Sequence, residues 1–388
     1  MKISIILLAY KETEELFQQQ MNALCNQDVV PSEVVLVDTS AEQKFKHLFN
    51  LVDTTFDKQY ISSPGSYPGE GRNIGIKKAS NEMIAFLDMK TIPCLDWIQV
   101  AVNSMRFYKS DYIFGSTVFE ANSSFQRVYK FCTYGNAAHE TLPGTIIKKS
   151  FFKKVGDFIS FARAAEDIEW RNRVKSVENT VMPNKPLLVY KDLPKNSFEL
   201  IIKYVRNSFY GAILDVLKNI KEAYLSLFII LIFLLIPRWN YLLSDWNLSP
   251  FYIDDITKKI YFSLLLLFVG YYSLNKIFLK QQQSNLYTVL KYLSYLIVFY
   301  SIYRWNELLG EVSLSISLYI PHITKLFLAS VLLASIVNRG IIIPLNNKVS
   351  YDQLFPFYWL RVGLLGCILD LLKAPIYIFG SFFALLKR

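Results

Sequence analysis

The chain is short of the residues that build metal centres and disulfide scaffolds. Its 388 residues include 4 Cys and 3 His. Cys25, Cys94, Cys132 and Cys367 are widely spaced and form no C-x-x-C pair. That argues against a disulfide framework or a thiolate zinc site and fits a reducing compartment. His47, His139 and His322 are too scattered for a His-rich metal site. Charge is scarce as well: 19% of residues are charged, where a soluble domain carries about 25%. Apolar residues make up 52% of the chain and aromatics 15%, and the mean hydropathy is +0.25. This composition excludes a disordered chain, a collagen-like repeat and a coiled-coil fibre. It also weighs against a wholly soluble enzyme.

The net charge of +10 is unevenly spread. Residues 1–222 hold 28 Lys and Arg against 25 Asp and Glu, and residues 223–388 hold 14 against 7. The basic excess therefore lies mostly in the apolar half. A nucleic-acid binder would carry its basic patch on a soluble face, so no nucleic-acid partner is expected. A basic surplus flanking apolar segments reads as a membrane topology signal and an attraction to anionic lipid.

Residues 1–195 read as a soluble α/β domain with a mostly parallel sheet and helices on both faces. Apolar runs at 3–9, 33–38 (EVVLVD) and 83–88 (MIAFLD) have the length of buried strands. They alternate with helical patterns such as the one carrying Leu16, Phe17, Met21 and Leu24. In such sheets ligands bind outside the carboxyl ends of the strands, and Tyr10, Asp38 and Asp88 each sit at such an end. Residues 196–222 form an amphipathic helix with Lys203, Arg206, Lys218 and Lys221 among apolar residues. Such a helix lies at a bilayer surface or packs on the soluble domain.

Residues 223–388 read as an all-α membrane region of four to five spans. Apolar stretches occupy 223–239, 260–278, 286–303 and 313–337, the last broken by Pro321. A span needs about 20 mostly apolar residues, and Tyr and Trp crowd the ends as interface anchors do. The stretch 354–386 carries Arg361, Asp370, Lys373 and Pro375. It reads either as one tilted span or as an interfacial helix followed by a re-entrant piece. A cytoplasmic N-terminal domain puts Lys276, Lys280, Arg339 and Lys348 near inside loops, and Asp245, Asp254 and Asp255 outside. Arg238, Lys258, Lys259 and Arg304 run against this pattern.

Five ordered segments carry a family resemblance. They are SIILLAY at 4–10, EVVLVDTS at 33–40, PGEGRNIGIKKAS at 68–80, IAFLDMK at 84–90, and VGDF followed by EDIEWRNRV across 155–174. Together they resemble the family-two glycosyltransferases of the GT-A fold, inverting enzymes that use nucleotide-sugars. The resemblance covers about residues 2–195. It implies donor-binding roles for Ala9 and Tyr10 in a nucleotide-contacting turn, for Asp38 on the base, for Arg72 on phosphate or the base edge, and for Asp88 in the D-x-D segment, where Lys90 is a further donor-side candidate. By position alone, Asp38 suits a turn or helix cap equally well. Arg72, which can fork onto phosphate, also reads as a surface residue after a Gly-rich turn.

The family's D-x-D triplet, which holds a divalent cation on the diphosphate, here reads Asp88-Met89-Lys90. Three outcomes follow. Lys90 takes over part of the metal's work, stabilising charge on the departing phosphate. Alternatively, Asp88 and another acid still bind Mg or Mn. In the third case the chain has lost catalysis and only binds nucleotide. Asp167 is implied as the general base that deprotonates the acceptor hydroxyl, with Glu166 beside it. Both acids also suit a helix start. His139, Gly144 and Arg173 fall on the acceptor side of the resemblance.

The expected function is a membrane-anchored inverting glycosyltransferase of cell-envelope polysaccharide type. Its catalytic domain would face the cytoplasm at a bacterial-type inner membrane. Its partners are a nucleotide-sugar donor, a lipid-linked or glycan acceptor, and membrane lipids. The rival readings are an inactive nucleotide-sugar-binding membrane protein and a synthase-coupled polysaccharide transporter. No Q-x-x-R-W segment of the processive synthases is present.

Overall fold

A computed structural model of the chain describes residues 2–179, 181–216 and 333–386. Eight strands are described: β1 (Ile3–Ala9), β2 (Glu33–Asp38), β3 (Asp57–Ser62), β4 (Met83–Asp88), β5 (Thr91–Pro93), β6 (Tyr112–Phe119), β7 (His139–Lys148) and β8 (Leu188–Tyr190). They form one sheet of order β3-β2-β1-β4-β7-β6-β8-β5. The ladders from β3 to β4 are all parallel. Beyond β4 the sheet is mixed, because β7 enters between β4 and β6 and runs against both. β8 then pairs parallel with β6 and antiparallel with β5. The expected mostly parallel sheet thus holds for one half only. Apolar patterning reports that a strand is buried, not which way its neighbour runs.

Every residue of β2 is buried, as a strand covered on both faces requires. Side chains alternate between two cores. Ile5, Leu7, Ala85 and Leu87 pack with Phe17, Met21 and Leu24 of α1 (Glu14–Cys25) and Phe45 and Phe49 of α2 (Phe45–Leu51). Ile6, Ile84 and Phe86 face the other way. They meet Ile76 of α3 (Pro68–Lys78), Phe151 and Phe152 of α6 (Lys149–Val155), and Trp170 of α7 (Glu166–Val177). The first core also holds Trp97 and Ile98 of α4 (Trp97–Tyr108). Helix starts follow local chemistry: Thr13 Oγ1 accepts from Leu16 N, and Pro68 opens α3, where its missing N–H has no partner to lose. Gly75 lets α3 lie close on the sheet. A Cβ there would stand 2.5 Å from Ile6 Cγ2.

α5 (Ser124–Thr133) and α8 (Ser197–Ile213) border a third core with the end of the chain. Beyond a π-helical turn at Asn338–Ile342 lie α9 (Ile343–Asn346), α10 (Tyr351–Leu354) and α11 (Tyr358–Leu386). Tyr129, Leu200, Val349, Leu354, Val362 and Leu369 share this core. The carbonyl of Asn347 accepts from Asn136 N and Ala137 N at 2.8 and 2.9 Å. Residues 1–222 and 336–388 accordingly form one compact unit, and 223–335 form a second. The C-terminal segment, grouped by sequence with the spans, packs on the N-terminal domain because α8 and α5 offer it an apolar face.

The stretches expected as spans at 223–239, 260–278 and 286–303 lie outside the described residues, as does most of 313–337. Among the described residues one segment, Tyr358–Ser381, is long and apolar enough to cross a membrane. It belongs to a single helix that continues through Pro375. Asp370 of this helix is buried and bound by Arg339 Nε and Nη2 at 2.5 Å each, with Lys373 Nζ at 3.3 Å. Charge inside an apolar helix is tolerated when it is paired in this way.

Candidate active site

The carboxyl ends of β1, β2 and β4 lie side by side, with Ala9 paired to Asp38 and Leu8 to Asp88. Three loops and the start of α7 converge there. The best-connected side chain is Arg72, on α3 and almost fully buried. Its Nη1 donates to Glu166 Oε1 at 2.8 Å and its Nη2 to Asp88 Oδ1 at 2.9 Å. Phe158 lies under the guanidinium, 5.6 Å from its centre. Arg72 was expected to fork onto phosphate. Here both arms of the fork are taken by acids, so it ties β4 to the start of α7. Both carboxylates raise its pKa against the effect of burial.

The neighbouring acids Glu166 and Asp167 are separated by environment. The Glu166 side chain is 6% exposed and held by Arg72. Burial raises its pKa, Arg72 opposes that, and Asp167 adds to it. Asp167 is 32% exposed, with Oδ2 3.7 Å from Arg171 Nη2 one turn along. Arg171 and Lys175 also hold Glu140, on β7, at 2.9 and 2.8 Å. Asp167 is therefore the more accessible member of the pair. Ala165, just before the helix, has φ +67° and turns the chain sharply into it.

Asp38 is buried, and its own loop occupies its carboxylate. Ser40 N and Oγ reach Oδ1 at 2.9 and 2.6 Å, and Tyr60 OH reaches Oδ2 at 2.9 Å. This is the turn-holding arrangement. Burial and the Asp38 charge push the Tyr60 hydroxyl pKa up. Ala9 is buried, and its carbonyl accepts from Thr39 N and Oγ1. Tyr10 is exposed, with the guanidinium of Arg163 over its ring, and its N–H donates to Glu12 at 2.6 Å. Burial raises the Glu12 pKa, with Lys90 opposing and Asp88 adding to it.

Asp88 is 36% exposed, and Lys90 Nζ reaches Asp192 Oδ2 at 2.6 Å. The β5–β8 ladder brings these two together, and Lys191 N donates to the carbonyl of Lys90 at 3.0 Å. Two further cations come from α8. Lys203 Nζ stands over the rings of Tyr190 and Tyr129, at 5.4 and 5.9 Å. Burial, Lys90 and Arg206 push its pKa down to about 8. Arg206 Nε is buried with no hydrogen-bond partner, and burial and Arg163 lower its pKa. Glu12, Arg163, Asp192, Lys203 and Arg206 were all missed as site residues. The i, i+3 spacing of Lys203 and Arg206 is legible as one helix face, but the pattern left open whether that face meets a membrane surface or the soluble domain. Lys218 and Lys221 lie outside the described residues.

The three acceptor-side candidates are engaged elsewhere. His139 Nε2 bonds the carbonyl of Tyr134 at 2.6 Å. Arg173 binds Glu169 and the carbonyls of Val155 and Asp157, fastening α7 to the loop before it. Gly144 sits inside β7 at φ +87°, its carbonyl accepting from Trp97 Nε1 at 3.0 Å. A Cβ there would stand 2.2 Å from Leu188 Cδ1. Gly144→Ala is therefore expected to destabilise the fold by about 1–3 kcal/mol. The loss should appear as a lowered Tm, with donor affinity unchanged in the protein that remains folded.

The residues present do not fit the divalent cation that a D-x-D triplet would hold. Asp88 is bound to Arg72, and the second acid position is occupied by Lys90. Among the described residues no three His, Cys, Asp or Glu side chains converge as a ligand set. A cation site of hard oxygen ligands is not built by one carboxylate flanked by two positive charges.

Residues 4–166 match the family model described as Glycosyl transferase family 2. Glycosyltransferase AglE of Haloferax volcanii is 24% identical over 186 residues, which cover 44% of this chain and 60% of that protein. A crystal structure of S. aureus TarS in complex with UDP-GlcNAc is similar with a TM-score of 0.42 and 17% identity, over 55% of this chain and 66% of that one. TarS in complex with UDP gives a TM-score of 0.38 and 18% identity, over 54% and 65%. The chain thus spans under two thirds of the length of each of these proteins.

Proposed function

We propose that the chain is an inverting glycosyltransferase that moves a sugar from a nucleoside diphosphate carrier to an acceptor hydroxyl at the cytoplasmic leaflet. The observation that carries this reading is the buried Arg72, which bridges the buried Glu166 to the half-exposed Asp88, with Asp167 open beside them. In the reaction Asp167 takes the proton of the acceptor hydroxyl. The freed oxygen attacks the anomeric carbon as the bond from that carbon to the diphosphate oxygen breaks. The nucleoside diphosphate leaves with the bonding electrons, and the anomeric configuration inverts. Tyr10 offers an exposed ring for the nucleobase, next to Arg163.

The outer face of α8 supports membrane attachment. Phe198, Ile201, Ile202 and Val205 are exposed at i, i+3, i+4, i+7 spacing, an apolar stripe pointing away from the protein. Leu360, Leu364, Ile368, Phe379 and Phe383 of α11 are exposed as well. A helix that exposes its apolar side and turns its cations inward suits a bilayer rather than water. The acceptor on this reading is lipid-linked, or a nascent surface polysaccharide held near the membrane.

The test is turnover of the full chain in lipid nanodiscs with a panel of nucleotide-sugars. One nucleotide-sugar should release its nucleoside diphosphate slowly, and faster once a polyprenyl-linked acceptor is added. If no nucleotide-sugar binds or turns over under any condition, the reading fails.

A further inference from the structure

We propose that Lys90, Lys203 and Arg206 form a cation cradle that receives the donor's diphosphate in place of a divalent metal, so that α8 is part of the active site. This rests on the donor reading above and adds the group that neutralises the leaving phosphates. Three observations carry it.

The first is the direction in which α8 faces. Its apolar stripe is exposed while Lys203 and Arg206 turn inward. Burying a cation is costly unless it is paired. Among the described residues neither Lys203 nor Arg206 forms an ion pair, and Arg206 Nε has no acceptor. Tyr190 and Tyr129 offer the Lys203 ammonium their ring faces. Rings attract the charge but offer no oxygen acceptor, so the half-buried ammonium keeps its three N–H donors for solvent or an anion. Like charges collected at a partly buried place call for an anion.

The second is position. Lys90 follows β4 by two residues and stands beside Asp88, where a D-x-D triplet would bring its second acid. Lys203 stands 5.4 Å from the ring of Tyr190, which pairs across the β5–β8 ladder with Thr91, the neighbour of Lys90, and Arg206 follows Lys203 by one helical turn; the charges of Lys90 and Arg206 both act on Lys203. Arg163, over the ring of Tyr10, acts on Arg206 from the other side. Tyr10, with Arg163 over its ring, thus offers a base platform in the same region as the cations, since its N–H donates to Glu12, on which Lys90 also acts. The third is the failed fit of a metal, since Arg72 occupies Asp88 and no acidic ligand set converges. Fixed donors aimed at the departing oxygens stabilise developing charge as a metal would. Asp192 holds the Lys90 ammonium in place.

The cradle has a pH signature. Lys203 is faced by Tyr129 on α5, Tyr190 on β8, Lys90 and Asp192 at the β5–β8 edge, and Arg206 on its own helix. Burial, with Lys90 and Arg206 nearby, pushes its pKa down to about 8. Only the protonated form attracts phosphate, so affinity should weaken as pH rises through that value. The dependence should vanish in Lys203→Met.

The experiment is calorimetric titration of the full chain in nanodiscs, in EDTA, with three probes: inorganic pyrophosphate, a panel of nucleoside diphosphates, and farnesyl diphosphate. Binding should persist in EDTA, and Lys203→Met and Arg206→Met should each weaken it about tenfold or more. The same variants should leave the Tm of the unliganded protein within about 2 °C of wild type, because each cation is only half-buried and forms no ion pair among the described residues. A merely structural cation would lower it. Binding of nucleoside diphosphates only with Mg or Mn overturns the cradle and leaves the donor reading standing. Unchanged affinity in both variants overturns it as well. Binding of farnesyl diphosphate with no nucleotide keeps the diphosphate cradle and overturns the donor reading, and no binding of any probe overturns both.

Discussion

Asp167→Asn should lower kcat by about 10²- to 10⁴-fold and leave the Kd for the nucleotide-sugar within about threefold. The amide keeps the shape of the carboxylate and its position one turn from Arg171, but it cannot accept the acceptor's proton. Asp167 is not among the residues assigned to the donor, so binding is spared. Single-turnover transfer with prebound donor, alongside titration of the same preparation, reads both quantities. Retention of near-normal turnover would remove Asp167 from the role of base. The neighbouring Glu166 is a poor candidate for that role. It is buried, and one of its oxygens is already engaged by a guanidinium.

Arg72→Ala should destabilise the N-terminal domain by about 3–5 kcal/mol, the scale for breaking a buried ion pair by removing one partner. Glu166 would then be buried without its cation, and the end of β4 would lose its tether to α7. Activity should be lost with it. The double variant Arg72→Met, Glu166→Leu separates the two effects. It replaces the charged pair by apolar groups, which is often neutral for stability, so Tm should recover most of the way while transfer does not. Arg72→Lys keeps the charge but cannot reach two acids at once. It should fall between wild type and Arg72→Ala in Tm. Equal Tm values for wild type and Arg72→Ala would show that the bridge carries no stability.

The strands beneath the site were legible because their signal is local. β1, β2 and β4 are short, mostly apolar runs, and Asp38 and Asp88 end two of them. Residue type and spacing were enough to place these acids at one edge of a sheet. The start of α7 was legible for the same reason, with two acids opening a helix. β7 was not identified in the sequence, and even a recognised strand does not show its direction, because reversal leaves the apolar pattern intact.

Among the charged residues, the sequence by itself determined where charge sits along each element, and tertiary contacts decided what that charge meets. Arg72 is joined to Glu166 across 94 positions, and Lys90 to Asp192 across 102. The amphipathic pattern of α8 established that Lys203 and Arg206 share a face. Only the packing of α8 against the rest of the domain turned that face inward, toward Tyr129 and Tyr190. The physical reason is range. Periodicity and capping act within a few residues, whereas the burial and pairing of a charge depend on partners that folding alone brings near.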